Sequence, residues 1–470
     1  MTLQGWHDDR PRKRASGRSS TIPLFEAPRA PQWRSWFVIL LSVVVVVVLT
    51  MVNRGSDTET QEAAISDEVV IQSRQALSLM GLETEDLILI PMRDLATTPS
   101  ATRRVATTYA ALDRGDGLRS LIALSLMSRI PTQVAEGAPL GAPGDLDGLL
   151  VQAFYHPLEL SGAERDYIVE NVGWPARMLF VRDLEEANPQ RVALHKQAER
   201  NATRSSAMVA IGLLIAMVGS GLLLSFYQRW RRQQIVVELS EPQTSEAIYL
   251  EAFAVYLALM ASAGLIAKFS GSGAVLALAL QVLSAVLGVA WPSLRGVPLR
   301  VMMQDIGLHR GQGVFTELWA GVVGYVTILP IFGAGVVAMI MLQKILAFAG
   351  LPLTSPVHPE MVGLGDSSLS VRIYVIVAAV IVAPIVEEML FRGAFYRALR
   401  QRWSFVVSAV VVGVIFALLH PQGLLSVPAL AAIGIGLSGL REWRDSLIAP
   451  IFAHALHNGL LIALTLTLVS

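Results

Sequence analysis

The feature that most constrains this chain is a series of apolar stretches long enough to cross a bilayer. The hydrocarbon layer is about 30 Å thick and takes about 20 helical residues to span. The first stretch, Trp36 to Val52, reads WFVILLSVVVVVVLTMV and holds no charge. Others run over Ala207 to Tyr227, Ala247 to Ala267, Gly273 to Trp291, Trp319 to Leu342, Val371 to Leu399, Phe405 to His420, Leu424 to Leu440 and Leu447 to Val469. In lipid the backbone N–H and C=O groups have to be satisfied within the segment, so each stretch is predicted to be a helix. The expected fold is an all-α membrane protein, a multi-pass transmembrane helix bundle of about nine spans. Composition agrees, with 53% hydrophobic and 16% charged residues against roughly 25% charged in an ordinary soluble domain. Net charge is zero, so no overall field favours nucleic acid, and no nucleic-acid partner is expected. Without cysteine the chain has no disulfides, thiolate metal ligands or cysteine nucleophile.

Between these stretches the polar segments set the organisation. Residues 1–35 carry Arg10, Arg12, Lys13, Arg14, Arg18, Arg29 and Arg34 against Asp8, Asp9 and Glu26, and read as a disordered basic arm. The stretch at 36–52 lacks a small-residue cleavage site after it and reads as a retained anchor. The positive-inside rule then places the amino terminus in the cytoplasm, and QRWRRQQ after the second span returns the chain there. Residues 54–205 form the one long hydrophilic region. Apolar residues at helical spacing in RRVATTYAALDRGDGLRSLIALSLMSRI, broken by EGAPLGAPGDLDG, predict a small, mainly helical extracytoplasmic domain. Its His156 and His195 are isolated and form no catalytic constellation. Spans from 207 to 348 follow, then a last bundle over 371–469. Pro330 is expected to break the fifth of the nine spans, and the GSG and GAG triplets are expected at close helix contacts. PSLRGVPLR and REWRD read as cytoplasmic loops.

The informative residues are charges inside the last hundred. VAPIVEEMLFRGAFY puts Glu387, Glu388 and Arg392 directly after an apolar run. Each charge at a helix centre costs about 2.5–3.5 kcal/mol unless paired. Glu388 and Arg392 stand four apart, within ion-pair reach on one face, which leaves Glu387 over. Pro384 lies just upstream and is expected to bend the helix there. FALLH places Phe416 and His420 four apart, and HALHN places His454 and Asn458 on one face beside His457. Polar residues inside membrane helices face a bundle interior or a wet cavity. A carboxylate, histidines and an amide together are the components of general-base hydrolysis of an amide.

These motifs, EEMLFRG, FALLH and HALHN, resemble the EExxxR, FxxxH and HxxxN motifs of the CAAX-processing and bacteriocin-processing intramembrane proteases, called CPBP or Abi proteins. The connecting GIGLSGLREWRDSLIAPIFAHALHN is similar to the family's approach to its last histidine, and the resemblance covers about 372–465. It implies that the chain is an endopeptidase in which Glu387 and His420 hold and activate the attacking water. His454 and Asn458 would then stabilise the oxyanion, and Glu388 with Arg392 would orient Glu387. The family is commonly labelled metalloprotease. If a divalent metal such as zinc were used, Glu387, His420 and His454 would be its ligands, a composition zinc accepts. The implied partners are the lipid bilayer and a protein or peptide substrate, prenylated or leader-bearing, at a bacterial plasma membrane.

Competing signatures are present. GLSG at 436–439 matches the GxSG of rhomboid serine proteases and offers Ser438 as a nucleophile. GLGD at 363–366 matches the GxGD of presenilin-type proteases but lies in a polar loop without a Tyr-Asp partner, and no HExxH supports a site-2 protease. A noncatalytic scaffold or a proton-coupled transporter would instead use the intramembrane charges as a relay, with Glu251, Gln281 and Glu317 on earlier helices.

Overall fold

The computed structural model describes residues 32–53, 107, 145–182, 184–235, 239–270, 274–349 and 369–469. Residues 1–31 of the basic arm, most of the expected polar domain, the GSG triplet and the GLGD loop lie outside them. The described residues form helices and no strand, an all-α multi-pass membrane-like fold. Helix α1 is Gln32–Asn53. A small group follows, with α2 at Asp145–Tyr155, α3 at Gly162–Val172 and α4 at Trp174–Val181. It closes around its own core of Leu149, Leu150, Ala153, Ile168, Val172 and Leu179. A capping box starts α3, where the Ser161 hydroxyl and backbone N–H both bond Glu164. These bonds hold the Glu164 carboxyl below the usual carboxylate range.

Then come α5 at Pro189–Arg231, α6 at Glu246–Ser270, α7 at Ala274–Leu294, α8 at Leu299–Ile306 and α9 at Val314–Phe348. The long helix α10 runs over 369–400, α11 is Phe405–Leu418, α12 is Val427–Arg444 and α13 is Ile448–Val469. Six of these helices are long and apolar enough to cross a membrane. The pair α7 and α8 bends by 117° and can count as one more. The apolar helices Phe405–Leu418 and Ile448–Leu464 are shorter than a full span. The 14 residues of α11 rise about 21 Å. Against the expected nine or so spans, the described residues thus hold six full-length helices, or seven with the bent pair, and α11 stops just before His420 and Pro421.

Two further expectations change. The boundary drawn at 205–207 is crossed by α5, 43 residues of continuous helix, so the polar region and the membrane helix share one rod of about 65 Å. Pro330 does not break α9. Its missing N–H orphans the carbonyl of Val326 one turn back, and Gly219 of α5 packs so tightly there that an added Cβ would lie 2.1 Å from the Val326 oxygen. In the GAG triplet Gly335 meets the Pro428 carbonyl and Ala432 closely, whereas Gly333 faces open space.

The bundle places α9 against α5, α12 and α13, and α6 against α1, α7 and α10. An aromatic column joins three helices: Phe253 stacks on Phe395 at 4.2 Å, meets Phe391 at 5.2 Å, and Phe391 meets Phe416 at 5.1 Å. Helix α1 is built into this core. Trp36 packs on Phe395 and stacks on Trp403, and Gln32 and Arg402 both bond Glu246. Within α10, widened π turns at Ala378–Val382 and Met389–Phe395 bracket the α-helical Ala383–Glu388. Such turns recur at functional sites.

Candidate active site

The α-helical turn between the two widened ones carries Glu387 and Glu388. Glu388 and Arg392 lie four apart and are both fully buried. Arg392 Nη1 donates to Glu388 Oε1 at 2.7 Å, and its Nη2 donates to the Gly434 carbonyl of α12 at 2.9 Å. The guanidinium also lies over the Phe416 ring, 4.7 Å from its centroid. Three helices are thereby tied around one cation, the arrangement expected of a charge that has no water to turn to.

Helix α13 brings His454 onto the same carboxylate, with Nδ1 at 2.9 Å from Glu388 Oε1. Its other nitrogen, Nε2, lies 3.8 Å from Glu387 Oε2. With Nδ1 against Glu388, the Nε2 edge is the one turned to Glu387. Glu387 keeps a side chain 25% exposed beside the fully buried Glu388, which separates the two adjacent glutamates into an accessible and an enclosed one. His420, just beyond α11, places Nδ1 at 2.6 Å from the Phe416 carbonyl. Its ring packs on Phe416 at 4.2 Å, and Phe416 also meets His454 at 5.8 Å. Asn458 directs Nδ2 to the Ala379 carbonyl of α10 at 2.8 Å.

The structure therefore brings Glu387, Glu388, Arg392 and His454 into one connected group, with His420 packed on the Phe416 ring beside it and Asn458 turned to the backbone. The conditional zinc set is not assembled. Among the described residues no three His, Asp or Glu side chains are grouped to hold a metal ion, and His454 Nδ1 is taken by Glu388. Ser438 is fully buried and donates to the Gly434 carbonyl at 3.0 Å, so its hydroxyl hydrogen points into its own helix. The relay residues are also dispersed. Glu317 is closed by a two-pronged bond from Arg444 at 2.7 and 3.0 Å, Glu251 faces Arg295 and Trp291, and Gln281 is exposed.

Sequence reasoning missed the surrounding polar frame. His457 meets the Tyr325 hydroxyl at 3.4 Å and the edge of Phe332. Glu442 accepts from the Tyr396 hydroxyl at 2.6 Å and from Arg400 at 2.7 Å. Asp305 accepts from Tyr249 at 2.8 Å and from the backbone of Gln243 and Thr244. The signal available for Glu442 was Tyr396 and Arg400 four apart on one face of an apolar helix, with an acid in the REWRD corner still to be placed.

Comparison with known proteins places this region. Residues 369–460 match the family described as Type II CAAX prenyl endopeptidase Rce1-like. An Escherichia coli protein described as an uncharacterized 24.3 kDa protein is 31% identical over 110 residues, covering 22% of this chain and 51% of that one. The chain thus spans about half the length of the curated relative it matches. No solved structure gives a significant match. Over residues 369–460, where the EExxxR, FxxxH and HxxxN motifs lie, the chain is similar to the Rce1-like endopeptidases of the CPBP family.

Proposed function

We propose that the chain is an integral-membrane endopeptidase that hydrolyses a peptide bond of a membrane-associated protein with water activated by Glu387. The observation that carries this reading is the His454 ring, held by Glu388 at 2.9 Å on one nitrogen and facing Glu387 at 3.8 Å on the other. Glu387 is the more accessible carboxylate of the pair. It takes a proton from water as the oxygen attacks the scissile carbonyl carbon, and returns that proton to the nitrogen when the C–N bond breaks. His454, held at Nδ1 by Glu388, presents its Nε2 edge to the developing oxyanion. One such donor supplies about 2.7–4 kcal/mol of barrier lowering. His420 orients the attacking water. Glu388 and Arg392 position His454 and through it Glu387. No step runs through a metal, since the donors do not gather for one. The substrate class is a prenylated or leader-bearing protein, and the site opens in a bilayer whose cytoplasmic face carries the amino terminus.

The test is cleavage of a membrane-tethered reporter peptide by the purified chain in liposomes. Glu387→Gln and His454→Ala abolish cleavage on this reading, and Ser438→Ala retains it. Loss in Ser438→Ala with activity kept in Glu387→Gln rejects the assignment.

A further inference from the structure

The wide turn ahead of Glu387 has a chemical cause and a visible consequence. In a helix interior the proline ring collides with the carbonyl four residues back and leaves that register one donor short. At Pro384 the turn opens, and Ala383 N–H reaches back five residues to the Ala378 carbonyl. In that five-residue register the next bond would run from residue 384 to the Ala379 carbonyl. Pro384 has no N–H to make it. An orphan carbonyl at this depth finds no water, and nonhelical backbone is tolerated only where a neighbour satisfies it. The neighbour is Asn458, whose Nδ2 donates to the Ala379 carbonyl at 2.8 Å.

We propose that Asn458 is a positioning residue whose side-chain amide replaces the backbone N–H that Pro384 lacks, latching α13 to the widened turn of α10. Asn458 stands one turn after His454 on the same face of α13, and Pro384 stands three residues before Glu387. The latch therefore fixes the relative height of the two helices at the point where His454 meets Glu387 and Glu388. Gly459 is part of the same seam: a Cβ there would lie 3.6 Å from a Val380 methyl, in ordinary contact beside the bond. The inference builds on the protease reading only in its activity arm; the helix register it describes is independent of catalysis.

The chain has no cysteine, so a single engineered pair reports the register cleanly. Val380→Cys with Gly459→Cys, oxidised in liposomes, measures how often α10 and α13 stand as described. Adding Asn458→Leu is expected to slow cross-linking about ten-fold, the population change that one lost buried hydrogen bond produces, and Asn458→Ala, which has no donor, to slow it alike. Adding Pro384→Ala restores an N–H at 384, and is expected to bring the Asn458→Leu protein back to within about three-fold of the parent. Reporter cleavage should follow the same order, lost in Asn458→Leu and recovered by Pro384→Ala, with recovery in kcat rather than KM. Unchanged cross-linking in Asn458→Leu, or a defect that Pro384→Ala leaves in place, overturns the latch. A parent chain that cleaves nothing but shows the cross-linking loss and rescue rejects the protease reading and keeps the latch.

Discussion

Arg392 offers the sharpest energetic test of the buried cluster. Replacing it with Met keeps most of the side-chain volume and removes three things at once: the 2.7 Å bond to Glu388, the 2.9 Å bond to the Gly434 carbonyl and the cation over Phe416. Gly434 still accepts from Ser438, so its loss is small. Glu388 is fully buried and is left with His454 as its one remaining donor. Removing one partner of a buried pair costs about 3–5 kcal/mol, because the other charge stays behind uncompensated. Replacing both partners by neutral groups of similar size costs far less and is often about neutral. The Arg392→Met protein should therefore lose about 3–5 kcal/mol, and the Glu388→Gln, Arg392→Met double variant should recover about 2 kcal/mol or more of it. Reversible unfolding in mixed micelles, followed by fluorescence of the tryptophans, measures both without reference to activity. A single variant within about 1 kcal/mol of the parent, or a double variant no better than the single, refutes the view that Arg392 holds a charge that has no other compensation.

Other expectations follow from the same geometry. An added methyl in Gly219→Ala would press on the Val326 carbonyl at 2.1 Å and should lower stability by about 1–3 kcal/mol in the same unfolding assay. Gly221→Ala, with nothing within 4 Å, should leave it unchanged. His420→Ala should reduce cleavage by about 100-fold or more while leaving unfolding near the parent value, the pattern of a group that handles protons. The Ser161–Glu164 cap responds to acid: the Glu164 carboxyl is held low, so its contribution is complete above the ordinary carboxylate range. It fades as pH falls through the lowered value. Ser161→Ala should move the Glu164 titration, read by carbon NMR with labelled glutamate, up toward its ordinary range.

The helices were legible because apolar length alone forces them in lipid, and the Glu388–Arg392 pair because spacing of four residues is decided within one helix. What the sequence left open came from contacts between helices distant along the chain. Pro330 looked like a break because the proline rule is local, yet α9 continues where Gly219 closes on the orphan carbonyl. Helix α5 runs through the expected domain boundary because nothing at 205–207 stops a helix. HALHN groups His454 with His457 and Asn458, but the bond of His454 to Glu388, 66 residues away, is set by packing between helices and is not written in the motif. Glu317 looked like a relay residue until Arg444, 127 residues on, closed it. Ser438 matched a serine-protease motif, but the motif does not record that its hydroxyl turns back to Gly434. The amide of Asn458 was assigned to the reacting oxygen on motif grounds. Its bond to Ala379 depends on the missing donor of Pro384, and both residues were in view without the turn that relates them.

The central claim, direct attack by water activated at Glu387, is tested most directly by trapping. The purified chain is given its reporter peptide in ¹⁸O water with hydroxylamine present, and the new carboxyl terminus is analysed by mass spectrometry. A free carboxylate carrying one ¹⁸O, with no hydroxamate and with no product at all from Glu387→Gln, is the expected result. A hydroxamate at the cleavage point would reveal an acyl-enzyme and contradict the account.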